Sequence, residues 1–96
     1  MDQIHNSFAE PDIPILANKF KVLSEPSRLK ILKSLIEGEK CVTDIIHSTD
    51  MLQANVSKQL KILQKAGIID CNPKGLQRFY YIKDYKIIEI CHLLCS

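Results

Sequence analysis

The sequence contains no tryptophan, only three glycines, and aromatic residues at just 6 % of its 96 positions. It also has no apolar run of the roughly 18 residues that a membrane-spanning helix needs. Residues 1–6 are polar and lack the basic and apolar regions of a secretory signal, so we expect a cytoplasmic protein. Hydrophobic residues at 46 % and charged residues at 25 % indicate a globular chain and exclude a disordered or fibrous one. The length allows one domain with a thin core, which association with a second copy would help to bury.

Enzyme signatures are missing as well. There is no Cys-x-x-Cys pair, and no Ser/His/Asp or paired-carboxylate arrangement that would support catalysis, so we expect no enzyme. What the chain does contain is four cysteines: Cys41, Cys71, Cys91 and Cys95. In a reducing compartment these remain thiols, and three roles stay open for them: buried apolar residues, metal ligands or redox sensors.

Positive charge is concentrated in one segment. The formal net charge is only +2, and residues 1–12 carry acidic groups without a lysine or arginine. Within residues 53–83, by contrast, Asp70 is the only acidic residue among six basic ones: Lys58, Lys61, Lys65, Lys74, Arg78 and Lys83. Such a segment suggests a polyanionic partner, with an ordinary solvated lysine face as the alternative.

The first half of the chain shows helical periodicity after an aperiodic tail at residues 1–12. The apolar spacing in residues 13–23 predicts a first helix. Ser24 is a candidate N-cap for a second helix that ends near Ile36, with Gly38 as its left-handed stop. The residues predicted to point inward from these two helices are Leu16, Phe20, Leu23, Leu29, Leu32, Leu35 and Ile36.

Two further helices and a change of period follow. Thr43 is a candidate N-cap for a short third helix with Ile45 and Ile46 inward, and a fourth helix spans residues 53–66. Residues 68–71 and 78–82 are β-branched or aromatic, and the turn signal at residues 72–75 joins them into a hairpin. A last helix begins after Asp84. The apolar seams of the fourth and last helices are Val56, Leu60 and Leu63, then Ile87, Ile88, Cys91, Leu94 and Cys95.

The predicted order is therefore α-α-α-α-β-β-α in a single domain at residues 13–96. This mainly helical arrangement with a β-hairpin wing is a winged helix-turn-helix, whose second core helix enters the DNA major groove. Asn and Gln can read adenine, Lys and Ser can reach phosphate or guanine, and wing residues reach the backbone. The predicted contacts with double-stranded DNA are Gln53, Asn55, Ser57, Lys58, Gln59 and Lys61 on the fourth helix, and Lys74 and Arg78 on the wing.

Five stretches of the chain carry a family resemblance. They are residues 23–32 (LSEPSRLKIL), 38–45 (GEKCVTDI), 53–63 (QANVSKQLKIL), 66–69 (AGII) and 75–82 (GLQRFYYI). In this order and spacing, the chain resembles the ArsR/SmtB family of small bacterial winged-helix repressors over about residues 15–95. The resemblance implies a homodimer with the first and last helices at its interface, and operator DNA that an inducer releases. The predicted interface residues are Leu16, Phe20, Ile87, Ile90 and Leu94.

The sequence departs from the known inducer sites of that family. Where arsenic-sensing members have a cysteine-rich run at the third helix, only Cys41 remains, and members that use an N-terminal cysteine pair find only His5. Zinc-sensing members resemble this chain at Asp84, but Lys86 stands in place of the next ligand. Members that sense persulfides have a second-helix cysteine where this chain has Lys33.

One thiol pair remains, at Cys91 and Cys95. Their i, i+4 spacing puts the two Cβ atoms about 6 Å apart, which is too far for an easy disulfide and suits two thiolates holding one soft ion. Cys41 or His92 would supply a further ligand, and an oxidative bridge to Cys41 or across the dimer is also open. Alternatively, Cys91 simply continues the apolar stripe of its helix.

Two classes of function follow. The first is a dimeric DNA-binding regulator, of repressor type, that leaves its operator when a soft metal or metalloid ion, or a reactive sulfur species or oxidant, engages its cysteines. The second is a thiol redox or metal-buffering protein without a DNA role. The basic face and wing favour the first, in which a DNA-binding member without any inducer is included.

Overall fold

The computed structural model describes residues 9–95, and within them five helices pack against a three-stranded antiparallel sheet. No helix in this range has both the length and the apolar character to cross a bilayer. The elements are α1 (Asp12–Leu23), α2 (Pro26–Ile36), β1 (Lys40–Cys41), α3 (Val42–Thr49), α4 (Gln53–Lys65), β2 (Ile69–Lys74), β3 (Gln77–Ile82) and α5 (Tyr85–Cys95).

The start of α1 lies one residue earlier than predicted. The N–H of Asp12 donates to the carbonyl of Ala9 at 3.0 Å, and the N–H of Ala9 donates to Oδ2 of Asp12 at 3.1 Å. This reciprocal pair starts the helix at Asp12, so the predicted tail at 1–12 ends too late. The first eight residues of that tail lie outside the described residues.

The cap of α2 was predicted wrongly. Oε1 of Glu25 accepts from the N–H of Ser27 at 3.2 Å, whereas the Ser24 hydroxyl donates backwards to the carbonyl of Lys21 at 2.8 Å. Both side chains can satisfy backbone groups at a helix junction, and here Ser24 closes α1 while Glu25 opens α2. Pro26 occupies the first turn of α2, as predicted.

A short strand before α3 was missed. Lys40 and Cys41 pair with Tyr80 and Phe79 and form β1 at one edge of the sheet, whose order is β1-β3-β2. Since Cys41 turns directly from this extended segment into α3, Cys41 and not Thr43 is the capping residue.

The hairpin turn also lies later than predicted. Asn72 and Pro73 belong to β2, and the strands are joined at Gly75 and Leu76, with Lys74 opposite Gln77. Pro73 is tolerated in β2 because this is an edge strand, where the missing N–H breaks no second ladder. Gly75 supplies the positive φ of 64° that the two-residue turn needs.

The core is formed by one side of α2 and α4 against α3, the sheet and α5. The predicted inward residues Leu32, Leu35, Ile45 and the whole α4 seam are buried. Leu29 and Ile36 were also predicted to point inward, but they are 41 % and 43 % exposed. The apolar surface of α2 is wider than its core-facing side, and these two residues lie on the side that is left outside.

Gly67 ends α4 and allows a direct test of backbone strain. Its φ is 77°, its N–H donates to the carbonyl of Gln64 at 3.0 Å, and no heavy atom lies within 4 Å of an added Cβ. Gly67→Ala should therefore lower the free energy of unfolding by about 1–2 kcal/mol through backbone conformation alone. Gly67→Asn should lose less, because asparagine tolerates left-handed backbone. Urea denaturation of both variants tests this, and equal losses would contradict it.

Candidate nucleic-acid interface

Helices α3 and α4 are joined by a tight turn that fixes how α4 leaves the domain. Asp50 adopts a left-handed conformation with φ 57°, and its N–H donates to the carbonyl of Ile46 at 2.9 Å. The chain then extends through Leu52, whose carbonyl accepts from the N–H of Val56 at 3.0 Å and so starts α4. With its apolar seam held in the core, α4 presents its opposite side to solvent.

That side of α4 carries polar and basic side chains. Gln53, Ser57 and Lys61 are exposed and follow one another at i, i+4, i+8, so they form a row along one face. Lys58 is exposed beside this row. Because α4 contains no acidic residue, nothing on the helix itself offsets the positive charge of this face. The arrangement provides hydrogen-bond donors and cations to a polyanion.

Gln59 does not belong to this face, and the prediction that it faces outward is wrong. Its side chain is only 6 % exposed. Its Oε1 accepts from Nε of Arg28 at 2.8 Å, and its Nε2 donates to Oδ1 of Asn55 at 2.9 Å. Gln59 is therefore an internal link between α2 and α4, and its burial is tolerated because both ends of the amide are hydrogen-bonded.

Asn55 lies at the margin of the α4 face and is half-buried. Besides its bond with Gln59, its Nδ2 donates to the hydroxyl of Ser27 at 3.5 Å. Arg28 in turn donates Nη1 to the carbonyl of Val22 at 2.9 Å, near the end of α1. The sequence analysis missed Arg28 and Ser27, since no local pattern indicates that they meet residues of α4 about thirty positions later.

The wing places its two predicted cations in different surroundings. Lys74 is paired with Glu39, and its Nζ lies 5.0 Å from the centre of the Phe79 ring. Arg78 is exposed, with Nη1 3.7 Å from the sulfur of Cys71. Arg78 therefore keeps its charge available at the surface, whereas that of Lys74 is partly offset by a carboxylate.

A second surface, made of other residues, is apolar rather than basic. A cavity of about 600 Å³ opens between α1, α2 and α5. The exposed residues Leu29 and Ile36 line it, together with the predicted interface residues Phe20, Ile90 and Leu94. Leu16 is half-buried, and Ile87 belongs to the core of the chain, which leaves Ile87 little surface to offer a partner.

Two of the four cysteines lie at this cavity. Cys91 and Cys95 line it, Cys91 half-buried and Cys95 exposed. Burial raises the pKa of the Cys91 thiol, and the nearby Cys95 raises that pKa further. Cys41 is buried at the start of α3 instead, and residues 9–95 contain no group of three His, Cys, Asp or Glu side chains suited to a metal. The predicted set of Cys41, Cys91 and Cys95 is thus not assembled within one chain.

The remaining candidates for inducer binding have structural partners. Asp84 forms an ion pair with Lys19 at 3.1 Å, and its Oδ1 accepts from the N–H of Lys86 at 3.2 Å, so it caps α5 as predicted. Cys71 is half-buried in β2, where Nε2 of Gln64 lies 3.8 Å from its sulfur. His5 lies outside the described residues.

Comparison with known proteins agrees with this geometry. Residues 25–70 match the family described as bacterial regulatory protein, arsR family. The cadmium resistance transcriptional regulatory protein CadC of Listeria innocua is 35 % identical over 94 residues, which cover 97 % of this chain and 79 % of that protein.

Two solved structures show the same fold. The transcriptional repressor BigR of Xylella fastidiosa superposes with a TM-score of 0.80 at 30 % identity, covering 88 % of this chain and 87 % of that one. The homodimeric winged helix-turn-helix DNA-binding domain of Mb0332 from Mycobacterium bovis gives 0.78 at 27 % identity, covering 85 % and 76 %. The predicted winged helix-turn-helix fold and family are confirmed. The chain belongs to the arsR family of bacterial regulatory proteins, and it is a DNA-binding transcriptional regulator.

Proposed function

We propose that this regulator is a homodimeric, cytoplasmic repressor that binds operator DNA through α4 and the wing and is released by thiol chemistry on α5. The observation that carries the DNA half of the proposal is the exposed row of Gln53, Ser57 and Lys61 with Lys58 beside it. It lies on the second helix of a helix-turn-helix and has no acidic neighbour on α4. Such a helix enters the major groove.

The side chains divide the work by their chemistry. The amide of Gln53 can hydrogen-bond a base edge near the start of α4. Ser57, Lys58 and Lys61 suit phosphate oxygens, which fix register without reading sequence. On the wing, Arg78 reaches the DNA backbone, with Lys74 as a weaker contact because Glu39 competes for its charge.

The occupant of the apolar cavity is a second copy of the chain. Phe20, Leu29 and Leu94 leave large apolar surfaces exposed there, and a contiguous apolar patch of this kind marks an interface. The similar Mb0332 domain is described as homodimeric. Two-fold symmetry would place the two α4 helices about 34 Å apart, one turn of DNA, so the operator is expected to be pseudo-palindromic.

Cys91 and Cys95 are the proposed sensing thiols. They lie one turn apart on α5 and line the same cavity, so a ligand there acts on the surface where the two copies meet. Because the similar CadC protein is named for cadmium resistance, Cd²⁺ is the first soft ion to test. Two thiols are fewer than the three or four donors that such ions usually take, so one chain supplies only part of a metal site. Reactive sulfur species or oxidants, which need no such coordination, are the second class of inducer.

Removing the cations of α4 tests the DNA half of the proposal. Lys58→Ala and Lys61→Ala should each weaken binding to all DNA sequences alike, because a phosphate contact carries no sequence information. Each should also reduce the slope of log K against log salt concentration by about one unit per protomer. Fluorescence anisotropy with a duplex selected by the wild-type protein from a randomised pool measures both.

Lys86→Ala is the matched control, because it removes the same charge from an exposed position on α5 rather than α4. It should leave the salt slope unchanged. If Lys58→Ala and Lys61→Ala bind like the control, α4 does not lie in the groove. If the wild-type protein selects no duplex, the alternative of a thiol redox or metal-buffering protein gains support.

A further inference from the structure

The hydrogen bonds from Arg28 through Gln59 to Asn55 all run in one direction. The guanidinium of Arg28 carries only donors, so the atom of Gln59 that faces its Nε at 2.8 Å must be the carbonyl oxygen. The other end of the Gln59 amide is then the NH₂ group, which donates to Oδ1 of Asn55 at 2.9 Å. A cation on α2 therefore sets the orientation of two amides on α4.

The Gln59 amide has no easy way to reverse. The side chain is 6 % exposed, and a half-turn of the amide would place its NH₂ group against the guanidinium. That would leave two donors facing each other in a buried site, with the Gln59 oxygen facing the oxygen of Asn55. Arg28 is itself held by the carbonyl of Val22 at 2.9 Å, so its donor stays in place.

The consequence falls on Asn55, near the start of α4. Its Oδ1 is turned towards Gln59, which leaves Nδ2 as the outward group of the amide. One Nδ2 hydrogen has a long 3.5 Å contact with the Ser27 hydroxyl. The other has no hydrogen-bond acceptor among residues 9–95. Asn55 thus presents a donor, without an acceptor at its side, at the margin of the exposed face.

We infer that Asn55 meets DNA as a hydrogen-bond donor alone, and that Arg28 and Gln59 are positioning residues that impose this polarity. The inference rests on the proposed function, since it requires α4 to lie on DNA. The contact is an acceptor: a phosphate oxygen, or an acceptor edge such as N7 or O6 of guanine or O4 of thymine. The bidentate adenine contact expected from the sequence needs Oδ1 and Nδ2 together at the base edge, which this arrangement does not offer.

Gln59→Glu reverses the polarity while keeping the shape. A carboxylate only accepts, so one oxygen of the introduced carboxylate would bind Arg28 and the other would face Asn55. Asn55 would then turn Nδ2 inward and Oδ1 outward. The buried carboxylate is paired with the guanidinium, and thermal denaturation checks that the variant folds.

The experiment uses the duplex that the wild-type protein selects from a randomised pool. Single positions are replaced by 7-deazaguanine, by a thymine analogue lacking O4, or by a methylphosphonate, which separate base acceptors from phosphate oxygens. At one acceptor, replacement should weaken wild-type binding about three- to tenfold, as expected for one hydrogen bond. The same replacement should not weaken Asn55→Ala or Gln59→Glu further. Asn55→Ala combined with Gln59→Glu should behave like Asn55→Ala alone, a dependence that general destabilisation would not produce.

Three results would overturn the inference: a lost contact that follows an amino group of adenine or cytosine, an Asn55→Ala protein that retains every contact, or a Gln59→Glu protein with the wild-type profile. If Gln59→Glu does not fold, Asn55→Asp replaces the outward donor by an oxygen and should lose the same contact. Gln53→Glu, which adds the same charge to α4, should retain that contact. A wild-type protein that selects no duplex instead contradicts the proposed function itself.

Discussion

Leu94→Glu should convert the protein from a dimer to monomers at micromolar concentration. Leu94 is 78 % exposed on α5 and lines the apolar cavity between α1, α2 and α5. Burying a carboxylate there without a partner costs several kcal/mol, so we expect the dimer dissociation constant to rise at least about a hundredfold. Sedimentation velocity measures this directly.

The same change should nearly abolish operator binding, although Leu94 is not on the DNA-facing surface. Two linked α4 helices gain about a hundredfold or more in affinity over one, because the second binding event is intramolecular. Leu93→Glu is the matched control: Leu93 is also 78 % exposed, but it does not line the cavity. If Leu94→Glu sediments as a dimer, or if Leu93→Glu dissociates equally, the interface lies elsewhere.

Cys95→Ser should retain basal DNA binding and lose the response to Cd²⁺. In the wild-type protein the ion is expected to lower operator affinity by about 5- to 150-fold, the usual range of coupling between two sites. Removing one of two thiols leaves too few soft ligands, so the variant should change less than about twofold. Anisotropy titrations with and without the ion measure the difference.

The wild-type response should also strengthen as pH rises through the neutral range. Because burial and the nearby Cys95 raise the pKa of Cys91, this thiol is protonated at neutral pH and must release its proton to bind the ion. The apparent affinity for Cd²⁺ therefore increases with pH until the pKa of Cys91 is passed. An affinity that falls over this range would contradict binding at Cys91.

Cys71→Ser is the matched control, because it removes a half-buried thiol that does not line the cavity. It should respond like the wild type. If Cys95→Ser still leaves DNA when Cd²⁺ is added, the thiol pair of α5 is not the sensor. Cys41, at the start of α3, would then be the next residue to replace.

The helices were predictable because their signal is local. Val56, Leu60 and Leu63 recur at helical spacing, and that spacing fixes which side of α4 is buried. The strand β1 has no such signal: it is two residues long, and Lys40 becomes extended because it pairs with Tyr80, forty positions later. The cap of α2 was missed because Ser24 and Glu25 are adjacent and both can bond backbone groups, and only the structure shows which does so.

The candidate site shows the same division. Lys58 and Lys61 are exposed because the seam of α4 requires it. Gln59 lies between Val56 and Leu63 in helical spacing and shares their side, but a glutamine is buried there only because Arg28 reaches it from α2. For Leu29 and Ile36, spacing predicts an apolar side of α2 but does not distinguish packing within one chain from packing against another.

The exposed row of α4 and the apolar cavity have no residue in common. Mutations can therefore change the promoter that the protein recognises without changing the compound to which it responds, and the reverse. Duplicated copies of such a gene can diverge along either course separately. For biosensor design, replacing the row at Gln53, Ser57 and Lys61 would redirect the protein to a reporter promoter while its detector stays intact.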